Sequence, residues 1–532
     1  MKNTNKIILG VCLLASAVSC STKLLDIEQK GVLTTNEYVT ADDKEALQFI
    51  AAVYAEYQGD AFNSIISGGP ACHDLFKTLM SRMGGDDADG FLYNESADGS
   101  TYSSLWRYWY RTIYWCNMII EKMPANGTAS AAVRDQVIAE ARVMRAICMS
   151  YLVQLFGNPP LADHLMDGTE ICTPAAESWE FIESELNEAA EDLPTKAGPG
   201  GQAAIGGRLT REAAYAFLGR AQLWQKKWQA AASTLYEKVI ATGKYSLNDN
   251  YADYSSSVSD FCDENIWEFE FNDKGENSNS QEGCFNLIAF SPQVGSWNDT
   301  YASLTMEPWG NNSNLSQDLV DAYKAHDGEG SVRWNATVMD VCTASAHGAV
   351  NSPVKNSDGY FNMREVCRVE DVVGTFPYQY SIRNKPYMRY AEVLLNYAEA
   401  VAQGGAAGSL SGLEALNMVR RRAGLADAPS LSMEDPSYGI KAERRIELYG
   451  EGLRFIDVVR WGDGSELAGV GRQMHTCNLS GGSASGAYST FNIILSETGG
   501  PGFVVGKDEL FPIPASEINQ NPALAAGQNP GW

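Results

Sequence analysis

The sequence is short of positive charge, of histidine and of long apolar runs. Its 532 residues hold 40 lysines and arginines against 66 aspartates and glutamates, a formal net charge of −26. So large an acidic excess repels phosphate backbones and excludes nucleic acid as a principal ligand. Only five histidines occur, His73, His164, His326, His347 and His475, widely separated and without a base or ligand partner at a useful spacing. There is no H-E-x-x-H, no G-x-S-x-G elbow, no Walker loop, no dinucleotide fingerprint and no C-x-x-C. Nothing therefore calls for a cofactor or a resident metal. Past the N-terminus no apolar stretch approaches the roughly 20 residues of a membrane helix. Disorder is excluded as well, since 45% of the residues are apolar.

What is present begins with a processing segment. Lys2 and Lys6 precede the apolar stretch Ile7 to Val18, 12 residues that end in Ala17-Val18-Ser19-Cys20. This reads as a lipoprotein signal over residues 1–19, with Cys20 acylated as the first mature residue. Ala17 stands where leucine is more usual, and a plain secretory signal is the alternative. The expectation is an exported protein held at the membrane by lipid. Of the 11 cysteines, Cys12 and Cys20 belong to this segment, leaving nine, an odd number that requires at least one free thiol. Most are expected to be small buried hydrophobes.

Helical periodicity organises the rest. Trp106, Trp109, Tyr110, Ile113, Asn117 and Ile120 recur at three and four, as do Ala139, Val143, Ala146, Ile147 and Tyr151, until Gly157-Asn158-Pro159-Pro160 ends the pattern. Further helices follow Thr173-Pro174 and Thr210-Arg211-Glu212. The segment from Ala214 through Trp228 to Tyr236 is the best example of a helical hairpin with small residues at its crossing. The fold class is mainly α, a degenerate tetratricopeptide-like helical-hairpin scaffold over about 41–243 and 387–462. Loop-rich insertions occupy about 245–378 and 463–510, with a little β such as Ile266 to Phe271.

Several motifs carry a resemblance. Arg389-Tyr390-Ala391-Glu392-Val393-Leu394-Leu395, Tyr397-Ala398-Glu399-Ala400, Leu416-Asn417 and Arg420-Arg421-Arg422-Ala423-Gly424 lie in the third helical block. Glu443-Arg444-Arg445-Ile446-Glu447-Leu448, Glu451-Gly452, Arg454-Phe455, Asp457 and Arg460-Trp461-Gly462 follow. Upstream stand Ala139-Glu140-Ala141-Arg142, Arg145-Ala146 and Phe156-Gly157. Phe511-Pro512-Ile513-Pro514, Glu517-Ile518, Asn521-Pro522 and Gln528-Asn529-Pro530-Gly531-Trp532 close the set. Together, across residues 20–532, they resemble the SusD/RagB family of outer-membrane nutrient-binding lipoproteins. The resemblance implies non-catalytic capture of oligosaccharide at the cell surface and its delivery to a SusC-like, TonB-dependent transporter. A peptide ligand, as some relatives take, and a secreted glycoside hydrolase are the alternatives.

Most of these motif residues read as scaffold. Arg444–Glu447, Glu451–Arg454 and Asp457–Arg460 are opposite charges three apart, whereas Glu443–Glu447 and Glu447–Glu451 are like charges four apart. An ion-pair network across neighbouring helices would resolve that conflict. Glu268 and Glu270 share one face of the strand and read as solvated. Asp86-Asp87-Ala88-Asp89-Gly90 fails as a calcium loop, because an EF-hand register puts Gly85 first and Ser96 twelfth. The cluster from Trp106 to Trp115 is at helical spacing and reads as core. Loop aromatics are the better ligand signal, since sugars stack their C–H faces on rings while amides and arginine bond the hydroxyls. The expected site residues are Arg82, Phe91, Tyr93 and Asn94 from one segment and Trp297, Tyr301 and Trp309 from another.

Overall fold

A computed structural model describes residues 41–58, 81–82, 93, 96–123, 127–197, 207–271, 282–283, 314–347, 352–355, 357–365, 368–375, 378–406, 408–468, 472–482, 487–500 and 502–532. The signal segment and Cys20 lie outside them. Helix α1 (Asp43–Glu56) opens with a capping box, in which Asp42 accepts from Glu45 N and Glu45 accepts from Asp42 N. The short strand β1 (Ser81–Arg82) follows. Then come α2 (Ser100–Lys122), α3 (Ala131–Phe156), α4 (Ala175–Ala190), α5 (Arg211–Trp224) and α6 (Trp228–Lys238). Each packs on the next, and α1 lies across α2 and α3. Small residues set the spacing of the stack. A Cβ on Gly219 of α5 would stand 2.3 Å from Leu235 Cδ2 of α6, so only glycine lets that crossing close.

The chain leaves this stack through β2 (Asn265–Phe269) and returns through β10 (Lys385–Arg389), its antiparallel partner. Rings converge there, with Trp267 and Tyr387 centroids 4.8 Å apart and Tyr57 6.0 Å from Trp267. The excursion between them holds β3 (Glu282–Gly283), β4 (Asn314–Leu315), α7 (Gln317–His326), α8 (Val332–Thr337), β5 (Val338–Asp340), α9 (Val341–His347), β6 (Val354–Lys355), β7 (Tyr360–Asn362), β8 (Val372–Thr375) and β9 (Tyr378–Ser381). It is more regular than the sequence reading of a loop-rich insertion allows. After β10 come α10 (Tyr390–Ala402), α11 (Gly412–Arg422), α12 (Ile440–Glu447) and α13 (Arg454–Trp461), with α10 packed on α6. The region from 463 onward also differs from its reading as irregular. It contains the antiparallel pair β11 (Arg472–Ser480) and β12 (Thr490–Gly500), to which β6 adds a third strand.

The motif-bearing helices surround a buried ion-pair hub. The fully buried Arg333 of α8 meets Glu443 at 2.6 Å, Glu447 at 3.0 Å and Asp327 at 2.7 Å. Arg389 reaches Glu264, Glu447 and Glu451, while Arg422 bridges Glu264 and Glu447. Burial alone would raise the Glu447 carboxyl, yet Arg422, Arg389 and Arg333 hold it below the usual range. The expected network across helices is therefore present, although two of the expected local pairs are replaced. Arg444 pairs with Asp457 and Arg454 with Glu466; Asp457–Arg460 forms as read. The like charges Glu447 and Glu451 are not on one helix, because α12 ends at Glu447 and Gly450 and Gly452 turn the chain at φ 80° and 76°.

Residues 511–532 fold back onto the first layers. Phe511 N donates to Leu155 O at 2.6 Å, and Asn529 Nδ2 donates to Phe156 O at 3.0 Å. The Trp532 ring stands edge-on to Tyr102 at 5.4 Å. Cys116, Cys148, Cys172, Cys262, Cys342 and Cys477 are free; burial pushes the Cys116 and Cys477 thiols up to about 12, as inert core thiols require.

Candidate functional site

Two of the expected site residues, Arg82 and Tyr93, fall within the described residues. β1 and β4 pair antiparallel, Ser81 opposite Leu315 and Arg82 opposite Asn314. Of the expected site residues only Arg82 lies on this pair. Phe91, Asn94, Trp297, Tyr301 and Trp309 lie outside the described residues, as does the Asp86–Gly90 turn. Tyr93 is described, and its ring is not presented to solvent. It is 6% exposed and meets Phe503 edge-on at 5.7 Å. Its φ of 58° is unusual for a bulky residue and is held in place by that packing. Tyr93 therefore pins the first segment to the core.

The start of α7, after β4, is held firmly. Leu315 is buried, and Ser316 caps α7 by accepting from Leu319 N at 3.2 Å. Gln317 N donates to Asp358 Oδ2 at 2.8 Å, and Asp358 Oδ1 faces His475 Nδ1 of β11 at 2.7 Å. Tyr323 OH donates to Ile446 O at 3.2 Å, which seats α7 on the hub. The start of α7 is thus tied both to β11 and to the hub.

The strand carboxylates need correction. β2 is buried on both faces, so Glu268 is 3% exposed rather than solvated, and only Glu270 reaches water. Glu268 accepts from Asn384 Nδ2 at 2.9 Å, from Phe261 N at 2.5 Å and from Asn265 Nδ2. Burial outweighs these donors and raises its carboxyl to about 7; burial likewise raises Asp260 to about 7. Acids poised near neutrality are candidates for proton transfer. Here the space beside Glu268 is about 20 Å³, about one water's room.

A larger opening lies along α2, where the sequence reading assigned rings to the core. Trp106, Trp109 and Ile113 are buried as expected, but Tyr114 is 45% exposed. With Tyr110 it overlooks a cavity of about 650 Å³ between α2, the 160–170 loop and α14 (Ala515–Gln520). Its polar wall includes Glu170, which carries no local motif, and Asn521 of the C-terminal Asn521-Pro522 motif. Only the fold makes them neighbours. Among the described residues no group of three or more His, Cys, Asp or Glu could hold a metal ion. No helix among them is long and apolar enough to cross a membrane.

Comparison with known proteins bears on both ends of the chain. The model of the SusD family matches residues 339–532, and a second, described as starch-binding associating with outer membrane, matches residues 29–223. A SusD-like protein of Bacteroides ovatus is 25% identical over 501 residues, 87% of this chain and 83% of its own. A solved laminarin-binding SusD-like protein aligns over 92% of this chain and 99% of its own, at 25% identity and a TM-score of 0.72. Surface glycan-binding protein A from Bacteroides fluxus aligns over the same shares, at 25% identity and a TM-score of 0.68.

Proposed function

The chain belongs to the SusD-like family, and from that premise we propose that it is a non-catalytic, glycan-binding lipoprotein of the outer membrane. It captures oligosaccharide on the rim formed by Arg82, Phe91, Asn94, Trp297, Tyr301 and Trp309, and hands it to a SusC-like, TonB-dependent transporter. The observation that carries the reading is the likeness to the laminarin-binding protein over 99% of that chain. The β1–β4 pair supports the rim, because it ties the two loop segments at their bases. Two or three acyl chains on Cys20 would anchor the protein, each buried methylene contributing about 0.8 kcal/mol.

Glycan and peptide arrays followed by product analysis test this reading. The expected result is saccharide binding with no shortening of the bound chain. Released products would make the protein a hydrolase, and binding confined to peptides would place it with peptide-binding relatives. Cys20→Ala should free the chain from membranes or leave it unprocessed; retention would refute the anchor. Native membrane extracts should yield the protein together with a large barrel protein, and isolation alone would count against delivery.

A further inference from the structure

Trp106, Tyr110 and Tyr114 follow one another along α2 at four-residue steps, a rise of about 6 Å per step. Trp106 and Tyr110 lie with ring centroids 4.9 Å apart, and Tyr110 is fixed by its OH, which donates to Pro160 O at 2.7 Å. Tyr114, one turn further, is the exposed end of this ladder. Opposite it the 160–170 loop is built rather than loose. The Glu170 carboxylate accepts from Asp167 N at 2.7 Å and Gly168 N at 2.9 Å, and Asn521 Nδ2 donates to Glu170 O at 2.6 Å. The open cavity's volume of about 650 Å³ falls within the roughly 300–1,000 Å³ of small-molecule sites.

The lining says what would fit. A carboxylate has about four acceptor positions, so Glu170 keeps places for hydroxyl donors beyond the two it uses. Burial raises the Glu517 carboxyl, with Arg107 opposing, and this half-buried acid stands on the same wall. Arg107 and Arg111 line the α2 side, with Asp167, Glu170, Glu517 and His164 across from them, so charges of both signs are interspersed. Rings with flat faces, hydroxyl acceptors and mixed charge suit a neutral polyol.

We propose that this cavity is a second saccharide site, separate from the loop rim, in which Tyr110 and Tyr114 stack sugar faces and Glu170 accepts their hydroxyls. It rests on the saccharide reading of the rim, and the test separates the two. Saturation-transfer NMR is run with laminarihexaose, maltohexaose, cellohexaose, mannohexaose and xylohexaose as probes. The proteins are the wild type, a Trp297→Ala/Trp309→Ala variant, and that variant with Tyr114→Ala or Tyr114→Phe added. The double variant should keep a weaker saccharide signal. Adding Tyr114→Ala should reduce its affinity about tenfold or more, whereas Tyr114→Phe, which keeps the ring, should not. Tyr114 is exposed, so circular dichroism should be unchanged throughout. Loss of all binding in the double variant, or equal affinity with and without Tyr114, overturns the second site and leaves the rim standing. No binding of any probe by wild-type protein overturns both readings.

Discussion

The hairpin stack α2–α6 and the hub around Glu447 hold chain together by opposite means. The stack relies on apolar burial and close approach, as Gly219 against Leu235 illustrates. The hub places Arg333, Arg389, Glu443 and Glu447 almost wholly out of water and offsets their desolvation with one another. A stack contact can be weakened by degrees. A hub partner cannot be removed without stranding a charge, because the penalty for an unpaired buried ion exceeds the gain from the pair.

The largest effect should follow from opening the hub. Arg333→Ala leaves Asp327, Glu443 and Glu447 short of a partner and should cost roughly 3–5 kcal/mol in denaturant unfolding. A loss below about 1 kcal/mol would mean that the network is surface-like, as exposed pairs are. Gly219→Ala should cost less, roughly 1–3 kcal/mol, through overpacking against Leu235. If it costs more than Arg333→Ala, the ranking of the two regions is reversed.

Acid distinguishes them further. Asp327 is depressed to about 2, and Glu447 and Asp457 are also lowered, so their contributions are present above the ordinary carboxylate range and lost as pH falls through it. Glu268 and Asp260, raised to about 7, act with the opposite sign: stability is greatest below about pH 4 and declines as pH rises toward 7. Wild-type protein should therefore gain melting temperature from pH 7.5 to pH 5.5 and lose it below about pH 4. Glu268→Gln should flatten the upper slope and leave the lower one, by thermal melts across pH; an unchanged upper slope would refute the assignment. The smallest effect on stability belongs to the rim. Trp297→Ala and Trp309→Ala should weaken glycan binding by about 1–3 kcal/mol in calorimetry, with unfolding changed by less than about 0.5 kcal/mol. Tyr93→Ala should instead lower stability, because its ring packs on Phe503.

The helices were legible because a buried face repeats every three or four residues and caps such as Thr210 mark their starts. The network was legible as a need, since like charges at 443 and 447 required partners, but not in its membership. Arg333 lies in the excursion between β2 and β10, and nothing local marks it. β11 and β12 carry no clean alternation, because register shifts between Arg472 and His475 break the period in β11 and Ile493-Ile494-Leu495 sets apolar residues side by side in β12. Alternation places Glu268 beside Glu270 and gives no sign of its burial, because Asn384, one of the groups that satisfy it, arrives only with the β10 segment, while Asn265 bonds it from within the same strand. The proposed rim rests in the sequence only on rings free of helical spacing. Tyr93 shows the limit of that signal, since a ring off the helix pattern can still be core.

Residues 511–532 impose an order on folding. The hairpins from α2 to α6 are built from neighbours in sequence and should form quickly, as local contacts do. The bond from Asn529 to Phe156 joins positions 373 apart, so the surface of α3 around Phe156 stays uncovered until nearly the whole chain has been placed. Completion is thus a late, slow event superimposed on fast local ones. A chain lacking 511–532 should retain helical circular dichroism while losing the sharp, cooperative melt.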